Sequence, residues 1–169
     1  MIYNEIMKKV LLVFLVAALM ISAFASSAAG SFKDINVTDY YGKKVTAEVF
    51  KDYKVTMINV FTTWCTWCIE EMPDLEEFSK NMPEGSKMIA VCADAFTAPE
   101  DLKAIIEKFK ITFPVLKMTD SQLSEISYII GYPTTFYVDS KGTIIDMSIG
   151  MPSNGVKGYR TKVEKLLAK

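Results

Sequence analysis

Two cysteines three positions apart, Cys65 and Cys68, have the spacing in this chain that most directly suggests chemistry. They follow the apolar run 55–61 and open a helical-looking stretch, 69–82. Residues i and i+3 share one face of a helix, so the two sulfurs can reach disulfide geometry without moving the backbone. Free N–H groups and partial positive charge at the helix N-terminus favour the thiolate of Cys65, so its pKa is expected below the usual value of about 8.5. The pattern predicts a redox pair in which Cys65 attacks and Cys68 resolves.

Two other interpretations of the pair are an inert structural disulfide and half of a zinc site. A structural zinc site needs about four ligands. The chain has no histidine and only one other cysteine, Cys92, which lies in the apolar run 88–93. We therefore expect no metal, and we expect Cys92 to be an inert buried thiol, with a redox-sensing or intermolecular role as its alternative.

Further motifs accompany the pair. Trp64 precedes the first cysteine, Asn59 stands six residues before it, Glu71 opens a Glu-Met-Pro sequence, and residues 131–136 read Gly-Tyr-Pro-Thr-Thr-Phe. Over about residues 32–169 the joint pattern resembles extracytoplasmic thioredoxin-like proteins of the TlpA/ResA type. The resemblance implies an α/β, thioredoxin-like fold: a mixed central β-sheet flanked by helices, with an N-terminal β-hairpin and an inserted helix.

The same resemblance implies a role for Glu71, because the family's glutamate lies near the cysteines and influences their protonation. A carboxylate there could take the proton of Cys68 when the mixed disulfide must be resolved. The alternative is a solvated helix charge, which is our interpretation of Glu70. Asn59 stands where thioredoxins carry a buried acid; an amide cannot relay a proton, so we expect Asn59 to bond to nearby backbone.

Four residues are candidates for client binding. Trp64 and Trp67 flank the first sulfur; they could fill the core, but we expect Trp67 to be partly exposed as an apolar docking surface. The resemblance implies a cis bond between Tyr132 and Pro133, packed opposite the cysteines. The backbone of Tyr132 would then pair with an extended client strand. The alternative is an ordinary trans proline that starts a strand.

The remaining periodicities predict the elements that position these residues. A hairpin spans 36–46, and the run 55–61 is too continuously apolar for anything but a buried central strand. Helix 69–82 turns Glu76 and Lys80 outward, and an amphipathic stripe over 102–109 marks the inserted helix. The other elements are strands at 88–93, 113–116, 134–138 and 143–147, a helix at 121–130 closed by Gly131, and a terminal helix whose core-facing residues run from Val156 through Tyr159 to Leu167.

The N-terminus has the composition of a secretory signal. Lys8 and Lys9 precede the apolar stretch 10–21, and an Ala-x-Ala site ends at Ala25. We expect a signal peptide at residues 1–25, with cleavage as late as residue 29, followed by one domain over 32–169. An uncleaved membrane anchor is the alternative, although the apolar run is shorter than the ~20 residues that span a bilayer.

These features predict an extracytoplasmic (periplasmic or secreted) thiol-disulfide oxidoreductase without a bound cofactor, which acts as a reductase of disulfides in exported proteins.

 

The predicted reaction runs through a mixed disulfide on Cys65 that Cys68 resolves. The resemblance implies reduction of cysteines in exported proteins, with apocytochrome c, and hence cytochrome c maturation, as one client class. The expected partners are exported protein thiols and disulfides and a membrane or extracytoplasmic electron donor, and we expect a monomer. A net charge of −1 without a basic patch gives no indication of nucleic-acid binding.

The sequence bears on two other functional classes. A thioredoxin-like binding or chaperone module with a vestigial Cys-x-x-Cys is the alternative to the enzyme. A peroxidase of the peroxiredoxin kind is excluded, because its Pro-x-x-x-Thr/Ser-x-x-Cys arrangement is absent: no proline stands in the run that leads to Cys65.

Overall fold

The computed structural model describes residues 30–94 and 98–169. The predicted signal peptide, residues 1–25, and its cleavage site lie outside the described residues. Among the helices that are described, each is too short or too polar to cross a membrane.

The described chain alternates strands and helices around one five-stranded sheet. Its strand order is β5-β4-β3-β6-β7, and a separate two-stranded hairpin pairs β1 with β2. The strands are β1 Asn36–Thr38, β2 Lys44–Thr46, β3 Val55–Phe61, β4 Ser86–Cys92, β5 Val115–Lys117, β6 Thr134–Val138 and β7 Ile144–Ile149. The helices are α1 Thr66–Lys80, α2 Pro99–Phe109, α3 Asp120–Ser124 and α4 Val156–Leu167, with a 3-10 turn at Ala47–Phe50.

The sheet is mixed, as predicted. Strand β3 pairs in parallel with β4 and antiparallel with β6, so it lies at the centre. All seven of its residues are buried, which confirms the prediction from its continuous apolar run. Alternate residues of a strand face opposite sides of the sheet, and accordingly β3 contributes to two core clusters, with Met57 in one and Ile58 in the other.

Helix α1 begins at Thr66, three residues earlier than predicted, because Cys65 itself is the N-cap. The Sγ atom of Cys65 accepts the backbone N–H of Cys68 at 3.2 Å and so satisfies one donor of the first turn. The helix runs without interruption through Pro73.

The prediction that Glu76 points outward is wrong. Its carboxylate is buried, where it accepts the backbone N–H and the hydroxyl of Thr112, both at 2.8 Å, and pairs with Lys80 at 2.9 Å. Thr112 follows α2 in the chain, so these bonds tie α1 to the segment that leads into β5. The burial of a carboxylate is tolerated because its oxygens are paired.

The helix predicted over 121–130 is much shorter. Helix α3 ends at Ser124, and Gly131 does not have the positive φ of a helix cap. The backbone of Gly30 instead packs against this segment, since a Cβ added at Gly30 would lie 1.9 Å from the carbonyl oxygen of Ile126. Ile126 and Ile129 pack against the second core cluster, and tertiary packing therefore overrides the helical spacing.

Two further predictions about helices are confirmed. The amphipathic stripe that marked the inserted helix corresponds to α2, which buries Leu102 and Ile106. The terminal helix α4 buries Tyr159, Val163 and Leu166 against the core cluster that also contains Cys68 and Met57.

Candidate functional site

Cys65 and Cys68 form a disulfide at the start of α1, with their Cα atoms 5.2 Å apart. Cys65 is only 7% exposed, and Cys68 is fully buried. The small exposed part of Cys65 nevertheless faces a groove that does not include Cys68 among its lining residues. A client sulfur that enters this groove therefore meets Cys65 first.

The groove in front of Cys65 has a volume of about 530 Å³. Its described lining carries no charged side chain, and it consists of Trp64, Cys65, Thr66, Trp67, Ile129, Ile130, Gly131 and Tyr132. Trp64, Trp67 and Ile130 are highly exposed, so they present apolar surface to solvent. Such a surface suits a client segment with apolar side chains next to its cysteine.

Tyr132 also lines the groove. The Tyr132–Pro133 peptide bond is cis, and Pro133 is buried. The carbonyl of Pro133 accepts the N–H of Gly150 at 2.8 Å, while in the described part of the chain neither the N–H nor the C=O of Tyr132 takes part in a backbone hydrogen bond. The phenol hydroxyl donates to Asp120 at 3.4 Å, and burial together with this carboxylate raises the pKa of Tyr132.

Glu71 lies one helical turn after Cys68 and is 1% exposed, which is inconsistent with a solvated helix charge. One carboxylate oxygen, Oε1, accepts the side-chain amide of Asn59, and the other, Oε2, accepts the hydroxyl of Tyr159, both at 2.9 Å. Burial raises the pKa of Glu71, against the opposing effect of these two hydrogen bonds, and the nearby charge of Asp74 raises it further. The carboxyl is consequently a stronger base than an exposed glutamate.

The expectation that Asn59 bonds to backbone is wrong. Its amide nitrogen donates to two side chains, Glu71 at 2.9 Å and the hydroxyl of Thr135 at 3.3 Å. Its amide oxygen is buried and accepts no hydrogen bond from the described residues. Asn59 therefore links β3 to both α1 and β6.

The third cysteine, Cys92, is fully buried at the end of β4 and lies outside the disulfide. Within residues 30–94 and 98–169, no three His, Cys, Asp or Glu side chains are grouped so that they could hold a metal ion.

Sequence reasoning missed two parts of this site. Tyr159 was identified only as a core-facing residue of the last helix, although a tyrosine among aliphatic core positions signals a hydroxyl that needs a buried partner. Ile129 and Ile130 were assigned to a helix, and instead they line the groove beside Tyr132. No local signal separates these two isoleucines from ordinary helix residues.

Comparison with known proteins is consistent with this geometry. The profile described as the AhpC/TSA family matches residues 29–147. The thioredoxin-like protein YneN of Bacillus subtilis (strain 168) is 33% identical over 122 residues, which cover 69% of this chain and 68% of YneN. The thiol-disulfide oxidoreductase ResA of Bacillus thuringiensis subsp. konkukian is 31% identical over 127 residues, which cover 75% of this chain and 67% of ResA.

Solved structures of other proteins have a fold similar to that of this chain. A thiol:disulfide interchange protein of the thioredoxin family from Chlorobium tepidum TLS superposes with a TM-score of 0.70 at 20% identity, over 83% of this chain and 98% of that one. StoA from Bacillus subtilis superposes with a TM-score of 0.64 at 20% identity, over 79% of this chain and 95% of StoA. The predicted thioredoxin-like fold is confirmed.

Proposed function

The chain belongs to the AhpC/TSA family and is a thiol-disulfide oxidoreductase of the ResA type, and from this premise we propose that it reduces disulfides in extracytoplasmic proteins. One observation carries the proposal: of the two sulfurs, only that of Cys65 faces the apolar groove. The peroxidase arrangement of prolines and cysteines remains absent from the chain.

Cys65 is the attacking thiol in this proposal. Its Sγ already accepts the N–H of Cys68 at the helix N-terminus, and the same donor would stabilise a thiolate after reduction. The thiolate attacks a client disulfide and forms a mixed disulfide on Cys65. Cys68, fully buried one turn further on, then resolves it.

Glu71 is the proposed base for that second step. Cys68 is buried and must lose its proton before it can attack the mixed disulfide. Glu71 lies at i+3 on the same face of α1, and burial raises the pKa of its carboxyl. Replacement by glutamine keeps the size of the side chain but removes the base, so Glu71→Gln should slow resolution while leaving the initial attack by Cys65 unchanged.

The proposed direction is reduction. A strongly oxidising pair needs extra stabilisation of the reduced thiolate, for example by a cation between the cysteines, and Thr66 and Trp67 supply none. We expect a reduction potential nearer that of thioredoxin, about −270 mV, than the oxidising limit of about −120 mV. Equilibration of the Cys65/Cys68 couple with dithiothreitol buffers measures it, and a value near the oxidising limit contradicts the direction.

The clients would be exported proteins, with apocytochrome c as one class, and a membrane or extracytoplasmic dithiol protein would supply electrons. Trp64, Trp67, Tyr132 and Pro133 are the proposed client-binding residues. Among the described residues the N–H and C=O of Tyr132 have no backbone partner, which supports pairing with an extended client segment. The uncharged lining of the groove supports apolar residues around the client cysteine. The signal peptide proposed for residues 1–25 would direct the protein out of the cytoplasm.

A second candidate function is client binding without turnover, and the exposure of the tryptophans at the groove favours it. Insulin reduction driven by dithiothreitol separates the two. We expect the wild type to accelerate reduction and Cys65→Ser to abolish the acceleration. A wild type that binds unfolded clients but does not accelerate their reduction would support the binding module instead.

A further inference from the structure

We propose that Tyr159 is a positioning residue of thiol exchange: its hydroxyl holds the Glu71 carboxylate where that carboxylate accepts the proton of Cys68. The inference rests on the proposed function and adds to it a residue of the last helix, 88 positions after Glu71.

The contact is direct and shielded from water. Tyr159 is 2% exposed, and its hydroxyl donates to Glu71 Oε2 at 2.9 Å. The amide of Asn59 donates to the other oxygen at the same distance. With one donor on each oxygen, the plane of the carboxylate is fixed between α4 and β3. Cys68 lies one turn before Glu71 on the same buried face of α1.

The groups around Glu71 allow it to change protonation state. From α1 the charge of Asp74 acts on it, from β6 the polar neighbours are Thr135 and Tyr137, from β3 there is Asn59, and from α4 there is Tyr159. Neither of its two hydrogen-bond donors is a cation, which would hold the carboxylate permanently ionised.

Both donors can also act as acceptors. A phenol hydroxyl donates to a carboxylate and accepts from a protonated carboxyl. The amide oxygen of Asn59, which has no partner among the described residues, offers a second acceptor if the amide turns. The cluster can therefore bind Glu71 before and after it takes up a proton.

Cys65 thiolate attacks a client disulfide, and one client sulfur leaves as a thiolate. The S–H proton of Cys68 passes to Glu71, and the Cys68 thiolate attacks Sγ of Cys65. The Cys65–Cys68 bond forms, the bond from Cys65 to the client breaks, and the second client sulfur leaves as a thiolate that takes up a proton. The client gains two electrons from the enzyme dithiol, which a dithiol donor restores.

In the test, reduced enzyme is mixed with 5,5′-dithiobis(2-nitrobenzoate), and the reaction is followed by stopped flow at a series of pH values. Attack by Cys65 releases a first thionitrobenzoate ion, and resolution by Cys68 releases a second. Loss of the Tyr159 hydrogen bond in Tyr159→Phe destabilises the Glu71 carboxylate. We therefore expect the pH midpoint for the rate of the second phase to rise. The change should correspond to about tenfold in the acid dissociation constant of Glu71, because hydrogen bonds to charged groups have that order of strength.

Three controls make the outcome specific. Tyr40→Phe removes a hydroxyl from another tyrosine that packs against the same core cluster and should leave the profile unchanged. Tyr159→Phe should cause no further shift in a Glu71→Gln background, because the base is already gone. 3-Fluorotyrosine at position 159 preserves the shape and strengthens the donor, so it should move the midpoint to lower pH, and it keeps the test available if Tyr159→Phe does not fold.

A failure of the proposed function and a failure of the proposed role of Tyr159 would give different results. A missing first phase in the wild type contradicts the proposed function of Cys65. A normal first phase, followed by a second phase whose pH midpoint does not respond to Tyr159→Phe or to 3-fluorotyrosine, overturns the role of Tyr159 and leaves the proposed function intact. A lower melting temperature without a shifted profile would show that Tyr159 is only structural.

Discussion

The rings of Trp64 and Tyr132 meet edge to face with their centres 5.9 Å apart. Trp64 immediately precedes Cys65, and Tyr132 immediately precedes Pro133, so this contact joins two chain segments that line the groove. Aromatic pairs of this geometry contribute about 0.5–1.5 kcal/mol beyond the area they bury. The shape of the groove therefore depends on both segments.

Trp67→Ala should weaken client binding without changing the reactivity of Cys65. Trp67 is 67% exposed and lines the groove, so a client that covers it would lose on the order of 1.4 kcal/mol of contact, or about tenfold in KM for insulin. The rate with 5,5′-dithiobis(2-nitrobenzoate), which needs little docking surface, should stay the same. Tyr41→Ala is the matched control, because Tyr41 is 64% exposed and lies outside the groove. An equal effect of both substitutions would contradict a docking role.

Cys68→Ser should accumulate a mixed disulfide with a client, because the attacking thiol remains and the resolving thiol is absent. Cys65→Ser should accumulate none, since Cys68 is fully buried behind Cys65. Non-reducing gel electrophoresis followed by mass spectrometry of the trapped peptide measures both. Trapping on Cys68 in Cys65→Ser, without trapping in Cys68→Ser, would reverse the assigned roles.

Glu71→Gln should change the stability of the oxidised protein in a pH-dependent way. Burial raises the pKa of Glu71 above its usual value of 4.5, so the folded state binds this proton more tightly than the unfolded state does. The stability that protonated Glu71 contributes to the wild type is then lost as pH rises from about 4.5 through the folded pKa, whereas glutamine does not titrate.

The variant should therefore gain free energy of unfolding relative to the wild type between acidic and neutral pH. Urea unfolding at several pH values measures this difference, in which contributions of other groups cancel. A difference that stays constant, or that decreases toward neutral pH, would show that Glu71 is not buried with a raised pKa.

Glu76→Ala should destabilise the fold by about 1.5–3 kcal/mol at neutral pH, because it removes a charged acceptor from Thr112. Burial of Glu76 opposes ionisation, but Lys80 and the two bonds from Thr112 outweigh it and lower the pKa of the carboxyl. Its contribution is therefore present above pH 4.5 and lost as pH falls through the folded pKa. Glu77→Ala, on the exposed face of the same turn, should stay within about 0.5 kcal/mol of the wild type. Equal losses in chemical denaturation would argue against the Glu76–Thr112 link.

The sequence alone determined the features that depend on neighbours in the chain. The spacing of Cys65 and Cys68, the start of a helix beside them and the buried run 55–61 follow from helical and strand periodicity, which act over a few residues. The family resemblance added Glu71 and the Tyr132–Pro133 pair, because their motifs are short and continuous.

Only the tertiary structure decided which polar groups are buried together. Glu76 and Glu71 occupy the same helix as the exposed Glu70, and the pattern of α1 does not distinguish them. A carboxylate enters the core only where donors meet it, and those donors come from Thr112 for Glu76 and from Tyr159 for Glu71, both distant in sequence. Their proximity follows from the packing of α1 against other elements, and no local spacing encodes it.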